Sequence, residues 1–339
     1  MTAPPLRVAV LGFWHVHAGD YARRTVEHPA AELVAVWDDD AARGRAGAEQ
    51  FGVPFIADLD AVLARDDVDA VTVTTSTDVH RDVIVRAANA GKHVFTEKLL
   101  APTVAECQDV VAACDAEGVV LQVSLPRLYD GYTAAVLDEV RSGRLGDVTS
   151  TRVRLSHDGA LPRDGGPGWL PERFFDPETA IGGALTDLGC HPVYLTQLFL
   201  GAHPDSVTAT YRSMTGRAVE DHAVVTVGYP SHAIGVIEAG FVADVPFTIE
   251  VVGTAGRVSY DDREGRVTAA GSAYGVEPVT IPIPADSPDA YAQWVDHIAT
   301  GSRADENVAR AVDLTRLVVA ANAAANAAAS AAPPATARA

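Results

Sequence analysis

The chain has 339 residues, of which 48% are hydrophobic and 21% charged, and its formal net charge is −19. That length suits two domains better than one small core, and the composition is that of a water-soluble globular protein. The charge leaves no basic surface for a phosphate backbone and disfavours anionic membranes, so neither nucleic acid nor membrane is an expected partner.

No apolar run is long enough to span a bilayer, and "MTAPPLRVAV" has no apolar leader ahead of the first strand. Of three cysteines, Cys107 and Cys114 fall on one helix as core residues and Cys190 stands alone. An odd count without a pairing pattern fits a reducing cytoplasm.

In chain order, the first 125 residues alternate strand and helix. "LRVAVLGF" is a buried strand, "DYARRTVEHP" a helix, "AELVAVWD" a strand, and "DDDAARGRAGAEQFG" a helix ending at Gly52. "VPFIAD" is short and extended, and "LDAVLARDDV" is helical. "DAVTVTTS" and "KHVFTEK" are strands around a helix closed by Gly91. "TVAECQDVVAACDAEG" is a helix with Thr103 as N-cap and Glu106 three residues on, and "VVLQVSL" ends the set. Such alternation predicts a doubly wound parallel sheet over residues 1–125.

From about residue 146 the pattern changes to alternating strands separated by turns: "DVTSTRVRLSHDG", "SVTATYRSMTG", "DHAVVTVGYP", "HAIGVIEAGFV" and "PFTIEVVGTAGRVSYDD". These predict an open antiparallel sheet in an α+β domain over 126–330, interrupted by a helix near "GGALTDLGCHPVYLTQLFLG" and closed by two C-terminal helices. Residues 331–339 are expected to be a tail. A sheet with one uncovered face favours self-association, so a homodimer or homotetramer is expected.

"VAVLGFWHVHAGDY" stands where a dinucleotide-binding loop should stand. Gly12 follows the first strand, but Trp14 and His17 occupy the places of the second and third glycines of such a loop. Helix N-terminal N–H groups bind phosphate without them, so a pyrophosphate is expected over the N–H groups of Phe13, Trp14 and His15. Asp38, ending the second strand, is placed to accept from the adenosine ribose, which selects NAD over NADP; a helix N-cap is its alternative role. His15 and His17 form a His-x-His pair, but no third ligand with metal spacing stands near them, so no metal is expected. No Gly-x-Ser-x-Gly elbow marks a serine nucleophile.

Two further stretches, "TTSTDVHRDVIVRAANAGKHVFTEK" and "GGALTDLGCH", resemble the glucose–fructose oxidoreductase / inositol dehydrogenase / MocA family, over most of the chain and in the same order. Gly91-Lys92-His93-Val94 followed by Glu97-Lys98 carries the first match, with Leu99 where the family usually has proline. Thr75 and Ser76, followed by His80, match the loop that lies along the cofactor. Asp187-Leu188-Gly189-Cys190-His191 carries the second match, with Tyr194 where an acid often follows. The resemblance implies a Rossmann domain joined to an α+β domain with an open antiparallel sheet. It implies oxidation or reduction of one carbinol of a sugar, cyclitol or glycoside with NAD, and catalytic roles for Lys98, Asp187 and His191.

The residue types suit that chemistry. A histidine takes the hydroxyl proton near neutral pH, a carboxylate orients it or a substrate hydroxyl, and a lysine stabilises the developing oxyanion. Asp187 and His191, four apart, are expected on one helix face, with Pro192 kinking or restarting that helix. Arg127, Tyr129, His157, Trp169 and Tyr194 are the candidate substrate contacts. Two rival readings use the same residues: a ligand-binding protein without turnover, and a lyase or deglycosylating enzyme that oxidises its substrate transiently with bound NAD.

Overall fold

The computed structural model describes residues 4–163 and 165–331, so the expected tail from residue 332 lies outside the described residues. The chain divides into two compact units: residues up to Tyr129 with Asp286–Thr315, and Asp130–Ala285 with the residues after Thr315.

In the first unit β1 (Leu6–Leu11), α1 (Ala18–Glu27), β2 (Ala31–Trp37), α2 (Ala41–Phe51), α3 (Leu59–Leu63), β3 (Ala70–Val73), α4 (His80–Asn89), β4 (His93–Thr96), α5 (Val104–Glu117) and β5 (Leu121–Val123) follow one another. The strands form one five-stranded sheet in the order β2-β1-β3-β4-β5, and each neighbouring pair is parallel. β3 and β5 are buried at every residue, as strands covered on both faces must be. Local signals place the helices. Thr103 Oγ1 accepts the Glu106 N–H at 3.2 Å, the predicted cap of α5. The cap of α2 is Asp40, whose carboxylate accepts from Ala42 and Arg43 N–H. Asp38 is therefore not the cap.

In the second unit come α6 (Gly131–Arg141), β6 (Val148–Ser156), α7 (Ala184–Asp187), α8 (Cys190–Leu200), β7 (Ser206–Arg212), β8 (His222–Gly228), β9 (Ile234–Gly240), β10 (Val245–Gly253), β11 (Gly256–Asp261), β12 (Arg266–Gly271) and β13 (Gly275–Ile281). They form an eight-stranded sheet, β13-β12-β11-β10-β6-β9-β8-β7. The expected antiparallel sheet is present with one exception: β6 and β9 pair in parallel. The long excursion through α7 and α8 returns the chain to the far edge at β7, and two hairpins then bring β9 beside β6.

Two C-terminal helices follow, α9 (Ala290–Thr300) and α10 (Asp305–Ala331). Sequence pattern groups both with the second domain, but α9 belongs to the first unit, and α10 passes the division at Thr315. The reason is burial. Tyr291 and Trp294 of α9, 2% and 0% exposed, pack with Phe95, Tyr21, Val8 and Val120 in a core of the parallel sheet. All three cysteines are buried and lie outside any disulfide. Among the described residues no helix is long and apolar enough to cross a membrane.

Candidate active site

Gly12 is the one glycine that the opening loop requires. Its φ is +94°, and an added Cβ would lie 2.9 Å from the Thr75 backbone nitrogen. Trp14 and His17 have no positive φ, and His17 is the helical N-cap of α1 at φ −82°, so neither place demands glycine. The close packing that glycines normally give this loop comes from α2 instead. A Cβ on Gly47 would meet the Phe13 ring at 2.6 Å, and one on Gly44 would meet Phe55 at 2.4 Å. Phe13 thus packs on the core of Val10, Leu33, Val36 and Ala48, and Trp14 is buried.

The loop's N–H groups are partly committed. Phe13 N–H donates to Asp38 Oδ2 at 2.6 Å, and His15 N–H donates to the Thr74 carbonyl at 3.0 Å. A pyrophosphate over residues 13–15 would find these two donors already bonded. Asp38, 2% exposed, also accepts from Asp40 N–H at 2.8 Å and from Arg43 Nε and Nη2 at 3.0 and 2.6 Å. Burial pushes its carboxyl up, and the Arg43 hydrogen bond works against that. Its carboxylate fastens the loop to α2. Asp39, which also bonds Arg43, is the exposed acid of the pair. Arg43 was not singled out from the sequence; its signal is a cation one turn into a helix that begins after three aspartates.

Thr75, Ser76 and His80 are all buried. Thr75 Oγ1 has no hydrogen-bond partner among the described residues. An orphaned buried hydroxyl beside a required glycine fits a bound polar group. His80 differs: its Nδ1 lies 2.8 Å from the Leu99 carbonyl and its Nε2 lies 3.2 Å from the Thr75 carbonyl. It ties two loops together, with both ring nitrogens engaged by carbonyls. Burial holds its imidazole below the ordinary value, against the two carbonyls. As pH falls below about 6.5 the unfolded chain therefore takes the proton first, and the folded state loses stability in that direction. We expect the denaturant midpoint to fall between about pH 7.5 and pH 5.5, and to fall less steeply in His80→Gln. Equal slopes in the two proteins would remove His80 from this role.

At the end of β4, Glu97 and Lys98 are 1% and 5% exposed, and the Lys98–Leu99 peptide bond is cis. Glu97 Oε1 meets His17 Nδ1 at 2.9 Å and accepts the Tyr21 hydroxyl, which also meets Ser124 Oγ at 2.6 Å. Glu97 Oε2 accepts the Lys98 N–H at 3.1 Å and lies 3.9 Å from Lys98 Nζ. Burial pushes Glu97 up, but His15, His17 and Lys98 outweigh it and hold the carboxyl well below its ordinary range. Lys98 Nζ is 3.4 Å from His15 Nε2. Tyr21, four residues after His17 on α1, is the part of this cluster that the sequence reading missed.

In the second unit, Asp187 and His191 do not share one helix. α7 ends at Asp187 and α8 begins at Cys190, with Leu188 and Gly189 between them. Pro192 lies in the first turn of α8, where its missing N–H is not needed, so it starts the helix and leaves it unkinked. His191 Nδ1 is 2.8 Å from the Tyr194 hydroxyl, and the two rings meet edge to face at 5.6 Å. Tyr194, 1% exposed, orients the histidine and is not an open substrate contact. Glu220, also missed, fixes the turn into α7 by accepting Gly183 and Leu185 N–H at 3.1 and 3.0 Å.

His157 stacks on Phe241 at 5.0 Å and meets the Trp169 ring at 4.6 Å. Burial lowers the His157 pKa, and the Asp187 charge opposes this. Trp169 is 50% exposed and donates to Asp158 at 3.3 Å. Tyr129 is different. It packs on the core of the first unit, and its hydroxyl accepts from Gln122 and Asn307 at 3.3 and 3.1 Å, which fixes it in that unit. Arg127 lies half-buried in the 3-10 turn Pro126–Leu128.

A five-stranded parallel sheet, a required glycine after β1, an acid after β2 and a buried Glu-Lys pair after β4 define a dinucleotide-binding oxidoreductase fold. The chain belongs to the Gfo/Idh/MocA oxidoreductases: residues 6–125 match the oxidoreductase family with the NAD-binding Rossmann fold, and residues 133–259 match the Gfo/Idh/MocA C-terminal domain. The dTDP-3,4-didehydro-2,6-dideoxy-alpha-D-glucose 3-reductase of Streptomyces antibioticus is 32% identical over 276 residues, 77% of each chain. The scyllo-inositol 2-dehydrogenase (NAD(+)) of Bacillus subtilis is 28% identical over 285 residues, 80% of each chain. Among solved structures, GenD2 from gentamicin A biosynthesis, in complex with NAD, superposes with a TM-score of 0.81 at 28% identity, covering 96% of this chain and 95% of that one.

Proposed function

We propose that this chain is an NAD-dependent oxidoreductase that moves a hydride between nicotinamide and one secondary carbinol of a sugar, cyclitol or glycoside. The observation that carries the reading is Lys98, a lysine 5% exposed and held between Glu97 and His15 at the C-terminal end of a parallel strand. Gly12, Thr75, Ser76 and the Glu97-Lys98 turn would hold the cofactor, with Asp38 and Arg43 shaping the loop; NAD supplies or accepts the hydride. Lys98 stabilises the oxyanion, His191 moves the hydroxyl proton, and Asp187 binds or orients a neighbouring hydroxyl. Trp169, backed by His157 and Phe241, offers a flat apolar surface for a ring substrate. The relatives named as a sugar 3-reductase and a cyclitol dehydrogenase support this substrate class. Retention of the lysine, aspartate and histidine argues against a protein without turnover. The test is calorimetric titration with NAD and NADH, followed by NADH formation with a panel of cyclitols and sugars. Absence of binding at millimolar concentration would remove the reading.

Cofactor choice rests on two carboxylates, Asp38 and Asp39, sharing one guanidinium, that of Arg43. A 2′-phosphate there meets net negative charge, which favours NAD. Because Asp38 fastens the loop, the clean substitution is Asp39→Arg. It should shift the ratio of NADP to NAD affinity toward NADP by about tenfold or more. A wild type that already prefers NADP would overturn the assignment. A homodimer or homotetramer, expected from the eight-stranded sheet, is tested by light scattering on the eluted protein.

A further inference from the structure

His15 and His17 flank a single valine, and folding brings them the third side chain that their sequence neighbourhood lacks. One ligand atom from each of His15, His17 and Glu97 lies within 4.8 Å of the other two, and among the described residues this is the one such group. We propose that these three residues bind a divalent transition ion of the zinc class. His17 Nδ1 and Glu97 Oε1 are 2.9 Å apart, and His15 Nδ1 and Glu97 Oε1 are 3.8 Å apart. Ligand atoms at zinc distances in a tetrahedron are roughly 3.4 Å apart, a value these separations bracket. Two imidazoles and one carboxylate suit zinc or cobalt better than calcium or magnesium, which take all-oxygen sets.

The surroundings act as an outer shell. His15 Nδ1 accepts the His17 N–H at 3.2 Å, so it carries a lone pair, and a bound ion would take that lone pair in place of the N–H. The loop is held from outside: His15 N–H bonds the Thr74 carbonyl, and Asp20 and Tyr21 N–H bond the His17 carbonyl at 2.9 and 3.1 Å. The Tyr21 hydroxyl and the Lys98 N–H hydrogen-bond Glu97, the kind of support that orients a ligating carboxylate. Lys98 Nζ lies 3.9 Å from Glu97 Oε2, the carboxylate oxygen an ion leaves unused. A cavity of about 160 Å³ bordered by His17, Tyr21 and Ser124 adjoins the cluster. Three protein ligands leave a fourth position for water or a substrate oxygen.

The test uses the full chain, free of any affinity tag and stripped with a chelator, titrated with Co²⁺ and followed by its visible d–d absorption and by elemental analysis after desalting. The expected result is one retained Co²⁺ per chain with tetrahedral-type bands. His17→Ala, a half-exposed position that leaves the core intact, should lose both. His15→Ala should do the same, with circular dichroism checking the fold. No retained cobalt in the wild type, or equal retention and equal bands in His17→Ala, overturns the site. NAD titration of the same samples keeps the two readings apart: NAD binding without cobalt refutes only the metal site, and cobalt without NAD refutes only the cofactor reading.

Discussion

His191→Ala should lower turnover roughly 10²–10⁴-fold, the usual value of one general acid or base, while leaving NAD affinity within about threefold. The proposed role fits the way this ring is held. Its Nδ1 is fixed by the Tyr194 hydroxyl at 2.8 Å, on a tyrosine that is itself 1% exposed. A carboxylate at that place would only accept, pinning the proton on Nδ1 and favouring the imidazolium. A hydroxyl both donates and accepts, so Nε2 can hold or release a proton with little reorganisation. Tyr194→Phe should therefore cost less, about tenfold in kcat, and should also move the pH profile of kcat/KM, which a purely structural role would not do. If His191→Ala retains turnover within about threefold of the wild type, the proton passes elsewhere. His15, 3.4 Å from Lys98 Nζ, is then the next histidine to replace.

Lys98→Met is expected to reduce kcat by roughly 10²–10³, the usual effect of deleting one preorganised donor to a developing oxyanion. Methionine keeps the length and apolar stem of a side chain that is 5% exposed, so packing changes little. The charge balance does change. Glu97 Oε2 loses a cation 3.9 Å away and His15 Nε2 loses its neighbour. Glu97 should then bind its proton more readily, and NAD affinity should fall only a few-fold, because the Gly12–Thr75 approach is untouched. Single-turnover measurement separates the two effects. A large loss of NAD affinity with normal single-turnover chemistry would make Lys98 a cofactor-positioning residue and would leave the oxyanion without its proposed partner.

The sequence by itself determined the elements whose signals are local. The β1 and β3 runs, the Thr103 cap of α5 and the Gly52 stop of α2 all lie within a few residues of what they control, and hydrophobic period and cap chemistry act over that range. Glu97-Lys98 and Asp187-to-His191 stood out through the resemblance to the family, whose motifs are short contiguous stretches. β13 was not read because it is an edge strand with mostly exposed residues; β12, whose Val267 and Ala269 are buried, was missed beside it. The site chemistry was set by hydrogen-bond choices that hydrophobic period and cap signals do not fix, even between residues close in sequence. Arg43 on Asp38, His80 bridging Thr75 and Leu99, and Tyr194 on His191 are hydrogen-bond choices made once polar groups are buried and must find partners. The transfer of α9 to the first unit followed from burial of Tyr291 and Trp294, and half-buried Tyr129 packs against the same core. Only the tertiary structure brought Glu97 to His15 and His17, across 80 residues of sequence from the nearer histidine. The parallel β3–β4 pairing sets the two strand ends side by side, and the loop after β1 then meets the carboxylate that follows β4.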